Sequence, residues 1–199
     1  MIHQVLKYLG YPDGTVPDAA VMNQIEKACQ EVAQASNFQY IYAQYEACPD
    51  FMKDIPAYQH YLSGADGLLL CATTLGVQVD RLLKRHQMND MTYAVIFDAV
   101  ASAYLEQQAD LFERKIPFKH KGFRFCPGYG GTALTDSRQI AAILHAEKIG
   151  ITFLDSGLMV PLKSMVGIVR LGGGSRKNCA DCVAFPNCAF RLKGTTCWK

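Results

Sequence analysis

Two stretches hold the residues whose types and spacing could do chemistry. The first is GFRFCPGYGG, residues 122–131. Arg124 stands between two phenylalanines, and Cys126, Pro127, Gly128, Tyr129, Gly130 and Gly131 follow at once. A plain strand would avoid so much glycine and a proline. Glycine lets a backbone approach a ligand closely, and a proline stiffens a loop, which lowers the ordering cost of binding. The stretch therefore reads as a ligand loop. The second is CADCVAFPNCAFRLKGTTC, a C-x2-C-x5-C-x8-C array of Cys179, Cys182, Cys188 and Cys197. Two cysteines two apart can hold a metal from a tight turn. Three or four thiolates suit zinc or an iron–sulfur cluster, and nothing in the array separates the two. Its spacing departs from the C-x2-C-x2-C-x3-C ferredoxin run, and no histidine lies among the four. Reduced thiols in a frayed tail are the other reading.

The elements around these stretches follow from periodicity. Residues 17–36 read as a helix capped by Asp18, with Val21, Ile25, Ala28, Val32 and Ala35 recurring at helical steps. NFQYIYAQYEAC alternates as a strand. Residues 54–62 form a short helix stopped by Ser63-Gly64. GLLLCAT is a buried strand leading into the helix VQVDRLLKRHQ. Asn89 or Asp90 caps a long helix from 91 to about 114, with Val95, Ala99, Ala103 and Leu111 toward the core. FRF is a short strand before the glycine-rich turn. Asp136 caps a helix through SRQIAAILHAEK. GITFL and SMVGIVRL are strands, the second apolar on nearly both faces and so central in a sheet. Without strict βαβ alternation, the expectation is an α+β fold: a twisted, mostly antiparallel sheet with flanking helices, one of them long and packed on the sheet. A Cys-rich tail would follow, giving a division into 1–172 and 173–199.

Composition narrows the function classes. The chain has 199 residues, 50% apolar and 19% charged, enough for a real core. Its net charge of +2 is uneven: from Arg170 onward six Lys/Arg face only Asp181, giving +5 and leaving about −3 elsewhere. Such a tail is a solvated basic segment or one that meets an acidic partner. Nucleic-acid binding is not expected, because dense Lys/Arg runs and interleaved exposed aromatics are missing. No stretch approaches about 18 apolar residues, so no membrane span is expected. MIHQVLKYLGYPDG has no basic start, long apolar run or small-residue cleavage site. A cytoplasmic location follows, with cysteines as thiols or ligands rather than disulfides. Cys29 and Cys71 read as core residues. GYGG and LGGG do not form a G-x-G-x-x-G in a βαβ frame, and no P-loop is present. The radical-AdoMet spacing C-x3-C-x2-C and the corrinoid signature Asp-x-His-x-x-Gly are both missing, and the five histidines read as structural or exposed.

Four stretches form a pattern: LCATTLGVQVDRLL with NDMTYAVIFDAVASAYLE; RFCPGYGG, an Arg-x-x-Pro-Gly-Tyr; IGITFLDSGLMVPLKSMVGIV; and CADCVAFPNCAFR. In this order they resemble the activation (reactivation) domain of cobalamin-dependent methionine synthase, in its short stand-alone form. The resemblance implies a twisted antiparallel sheet with flanking helices, and S-adenosylmethionine (AdoMet) held extended along the Arg-x-x-Pro-Gly-Tyr loop. By match, Arg124 meets the methionyl carboxylate, Phe125, Cys126, Pro127 and Gly128 give the backbone contact to adenine, and Tyr129 lies near the methyl group. The chemistry agrees: a guanidinium fork binds a carboxylate through two hydrogen bonds, which lysine does not reproduce. A sulfonium wants a carboxylate or aromatic face, and Glu106 on the long helix is the acid expected there. The sequence departs from the family at Cys126, where a small residue or serine is usual, and at GIV, where longer members carry a tyrosine.

The implied role is an AdoMet-binding reactivation component for a cobalamin-dependent methyltransferase, a methyltransferase component acting in methionine biosynthesis. Cobalamin would be carried by the partner, a corrinoid methyltransferase or methionine synthase subunit. A one-electron donor such as a flavodoxin or ferredoxin would complete the system. The alternative is a non-enzymatic assembly or scaffold subunit of a corrinoid methyltransferase, with the cysteines as a structural metal clip.

Overall fold

The structure is a computed structural model that describes residues 1–12, 14–118, 121–172, 187–192, 194 and 196. Its elements run α1 (Ile2–Tyr8), α2 (Ala19–Ala35), β1 (Gln39–Tyr45), α3 (Asp50–Lys53), α4 (Pro56–Leu62), β2 (Gly67–Thr74), α5 (Val77–Asn89) and α6 (Met91–Lys115). Then come β3 (Lys121–Phe125), α7 (Asp136–Leu144), a 3-10 turn (Ala146–Ile149), β4 (Thr152–Phe153), β5 (Met159–Val160), β6 (Ser164–Leu171) and α8 (Ala189–Leu192). The fold is α+β, as expected. Most of the stretch after Gly172, including Cys179, Cys182 and Cys197, lies outside the described residues. Among the described residues no helix is long and apolar enough to cross a membrane.

Four strands make one sheet in the order β1-β2-β6-β3, and β4 pairs with β5. Asn37 N–H donates to Leu75 O at 2.8 Å and Thr73 Oγ1 donates to Gln39 O at 2.9 Å, so β1 and β2 run antiparallel. Leu75 N–H donates to Lys163 O and Asp66 N–H to Leu171 O, which sets β2 antiparallel to β6. β3 is antiparallel to β6, and β4 to β5. The two inner strands are β2, buried along its whole length, and β6, buried along nearly all of it. That matches the near-continuous apolar reading of GLLLCAT and SMVGIVRL.

The chain divides into two units: 1–40, 73–116 and 148–164 in the first, 41–72, 117–147 and 165–199 in the second. In the first unit α6 packs against α1, α2 and α5. Asp18 caps α2 by accepting from Val21 N–H at 2.8 Å, and Asp90 caps α6 by accepting from Tyr93 N–H at 3.0 Å. Ala99 and Ala103 are buried as expected, but Val95 and Leu111 are exposed, at 54% and 43%. The buried side of α6 instead carries Tyr93, Ile96, Phe97, Val100 and Leu105. Nearly every position in its first half is apolar, so several stripes fit the helical period, and only the packing of three helices selects one. The segment before β6 is fastened by Asp80, which accepts from Leu162 N–H at 2.6 Å and Lys163 N–H at 3.4 Å. Buried Lys163 reaches Asp98 at 2.7 Å and donates to Ser102 Oγ at 2.8 Å.

In the second unit α4 opens on Pro56, a good first helical residue. It ends at Ser63, and Gly64 takes φ +66, so the Ser63-Gly64 stop is borne out. α4 buries Tyr58 and Tyr61. Asp136 is not the cap of α7: the cap position is Thr135, without a side-chain bond. Asp136 is the buried first residue of that helix, and its carboxylate accepts the Tyr58 hydroxyl at 2.9 Å. A tyrosine donor from another helix has taken the carboxylate away from local capping.

Candidate functional site

The ligand loop begins in β3. Lys121 pairs with Leu171, but Arg124 pairs with Val169 and Phe125 with Ile168. Two residues of β3, Gly122 and Phe123, thus oppose the single residue Arg170, which is a one-residue bulge. Tyr61 fills it: its hydroxyl donates to Phe123 O and accepts from Arg170 N–H at 3.0 Å. The same ring packs on both phenylalanines that flank Arg124, at 5.1 Å tilted 62° for Phe123 and 5.1 Å stacked at 29° for Phe125. Tyr58 meets Phe125 edge-on at 5.7 Å. The two phenylalanines therefore belong to the aromatic core of this unit.

Strand alternation sends Arg124 to the opposite face. There its stem lies on Gly167 of β6. A Cβ at residue 167 would stand 2.7 Å from Arg124 Cγ, 3.1 Å from Cδ and 3.2 Å from Phe125 O. The glycine is the space in which the arginine stem lies. A glycine inside an apolar strand signals such an approach, and MVGIV carried that signal in the sequence.

Beyond Phe125 the loop is closed by its own hydrogen bonds. Gly128 N–H donates to Thr132 Oγ1 at 2.9 Å, and Thr132 Oγ1 donates to Tyr129 O at 2.7 Å. Thr132 N–H reaches Tyr129 O at 3.0 Å, and Tyr129 N–H reaches Cys126 O at 3.4 Å. Gly128, Gly130 and Gly131 all take positive φ (93, 61 and 86), which L side chains rarely adopt. The amides of Gly128 and Tyr129 thus turn inward to shape the loop. Tyr129 itself is presented outward, 61% exposed. Cys126 is partly buried and in no disulfide. Thr132, Tyr61 and Gly167 carry no chemical motif, and sequence reasoning singled out none of them.

Behind the loop, burial pushes the Tyr58 phenol well above the usual tyrosine range, and the Asp136 carboxylate adds to it. Tyr58 is therefore a neutral donor.

The expected residues fall in two places. Arg124, Phe125, Cys126, Pro127, Gly128 and Tyr129 are contiguous in the second unit, while Glu106 belongs to the first. Glu106 Oε1 accepts the hydroxyl of Tyr8. Of the four tail cysteines only Cys188 is described; it precedes α8, and Leu192 N–H donates to its carbonyl at 3.0 Å. Among the described residues no group of three or more His, Cys, Asp or Glu side chains could hold a metal ion.

The chain is similar to the solved structure of the MetH reactivation domain bound to AdoHcy. The TM-score is 0.60 at 17% sequence identity, over 98% of this chain and 81% of that one. At this identity the likeness is one of fold, and the chain has that fold. No protein-family profile matches the chain, and no curated protein does.

Proposed function

We propose that this chain binds AdoMet at the Arg124–Tyr129 loop and serves as a reactivation component for a cobalamin-dependent methyltransferase of the methionine synthase kind. The observation that carries the reading is Arg124 laid on Gly167 at the mouth of the glycine-rich loop, in a chain with the reactivation-domain fold. The donor set fits the group: a guanidinium for the carboxylate, a loop of left-handed glycines for close approach, and an exposed tyrosine for the cationic end.

The chemistry supplied from outside the chain is a sulfonium methyl and a partner-held cobalamin. AdoMet would supply its methyl group to the partner's cobalamin, once a flavodoxin- or ferredoxin-class donor had supplied one electron to it, and would leave as AdoHcy. No side-chain nucleophile is needed. The work of this chain is to bind, orient and desolvate. Arg124 anchors the methionyl end, the loop backbone from Phe125 to Gly128 lines the adenine, and Tyr129 stands at the methyl end. The cysteines of the tail are proposed as a zinc or iron–sulfur site.

Calorimetric titration with AdoMet tests the reading, beside Arg124→Ala. Losing a charge-assisted pair of hydrogen bonds should weaken binding roughly ten- to hundredfold. Binding that ignores the mutation would move the site elsewhere. No binding, with a corrinoid partner present, would overturn the reading.

A further inference from the structure

We propose that Tyr61 and Gly167 aim Arg124 and are therefore positioning residues for the ligand carboxylate; the inference rests on the AdoMet-binding reading above. Paired residues of adjacent strands share a face. Counting regularly from the Lys121–Leu171 pair, Arg124 would oppose Ile168 and share its face, and Phe125 would oppose Gly167. The bulge shifts the count by one, so Arg124 opposes Val169 and Phe125 opposes Ile168. A one-residue slip moves every following side chain to the other face. The bulge thus decides whether the guanidinium or the phenyl ring joins the aromatic core.

A bulge breaks the ladder and strands backbone groups. The Tyr61 hydroxyl satisfies one on each strand, the Phe123 carbonyl and the Arg170 amide. It reaches them from the aromatic face, where its ring also holds Phe123 and Phe125. On the other face Gly167 leaves the space in which the Arg124 stem lies, and any larger residue meets that stem and the Phe125 carbonyl. One residue fixes which face the arginine takes, and the other fixes how low it lies on the strand.

The test measures affinities of the full chain for AdoMet and for decarboxylated AdoMet, which lacks the group that Arg124 holds, in wild type, Tyr61→Phe and Gly167→Ala. Wild type should prefer AdoMet by about tenfold or more. Both variants should lose that preference, with AdoMet binding about tenfold weaker and decarboxylated AdoMet within about twofold of wild type. Variants that keep the wild-type ratio overturn the inference and leave the AdoMet reading intact. So does a parallel loss of both ligands that tracks a fall in melting temperature, since that is what a merely structural role produces. If Tyr61→Phe does not fold, Gly167→Ala decides alone, because it removes no hydrogen-bonding group. Equal affinities in wild type overturn the carboxylate assignment itself, and the positioning role with it.

Discussion

Tyr58 and Asp136 show how one hydrogen bond ties the loop's neighbours together. The carboxylate is buried at the start of α7 and accepts the Tyr58 hydroxyl. Removing one member of a buried pair leaves the other with its desolvation penalty. Tyr58→Phe should therefore destabilise the protein by about 1–3 kcal/mol, read as a lower midpoint in urea unfolding. The same burial gives a pH signature. Tyr58 and Tyr93 both hold their protons more tightly in the folded state, chiefly through desolvation. Below the ordinary tyrosine value of about 10 both states keep the proton and stability is unaffected. Above it the unfolded chain loses protons that the folded chain retains, so stability falls as pH rises. Alkaline unfolding should begin near that pH, and the double variant Tyr58→Phe, Tyr93→Phe should flatten the slope.

At the scale of elements, the segment leading into β6 is held by side chains as well as by the backbone bond from Leu75 N–H to Lys163 O. Asp80 of α5 accepts two of its amides, and Lys163 is carried to Asp98 and Ser102 of α6. Asp80→Ala should cost about 1–3 kcal/mol, with amide exchange at Leu162 and Lys163 rising more than exchange elsewhere. An unchanged exchange pattern would mean that the Asp80 bonds do not hold the segment. The helices were largely legible in the sequence: Asp18 and Asp90 announced the starts of α2 and α6, and both caps are present. Val95 and Leu111 were misread because α6 is apolar around much of its circumference. Asp136 was misread because a local cap and a distant tyrosine compete for one carboxylate, and no short-range pattern reports the distant one.

At the scale of the whole molecule, the fold belongs with the reactivation-domain structure, while the tail cysteines pose a question of metal content. The full chain, purified without oxygen, is expected to carry one metal site on Cys179, Cys182, Cys188 and Cys197. A brown chromophore with iron would identify a cluster, and colourless protein with stoichiometric zinc a structural clip. Cys182→Ser should release either one. Protein with neither metal would leave these cysteines as ordinary thiols.

The amino-acid sequence by itself determined α2, α4 to α7, the four strands of the sheet, the central place of SMVGIVRL and the two main helix caps, while α1, α3, β5 and α8 went unread. Each reading rests on spacing within a few residues or on a continuous apolar run, and local rules report both. Only the tertiary structure decided the bulge opposite Arg170, the Tyr61 hydroxyl that fills it and the seat on Gly167. Tyr61 and Phe123 are 62 positions apart, and Tyr61 and Arg170 are 109 apart. The register between β3 and β6, which no single segment encodes, is what brings them together and gives Arg124 its direction.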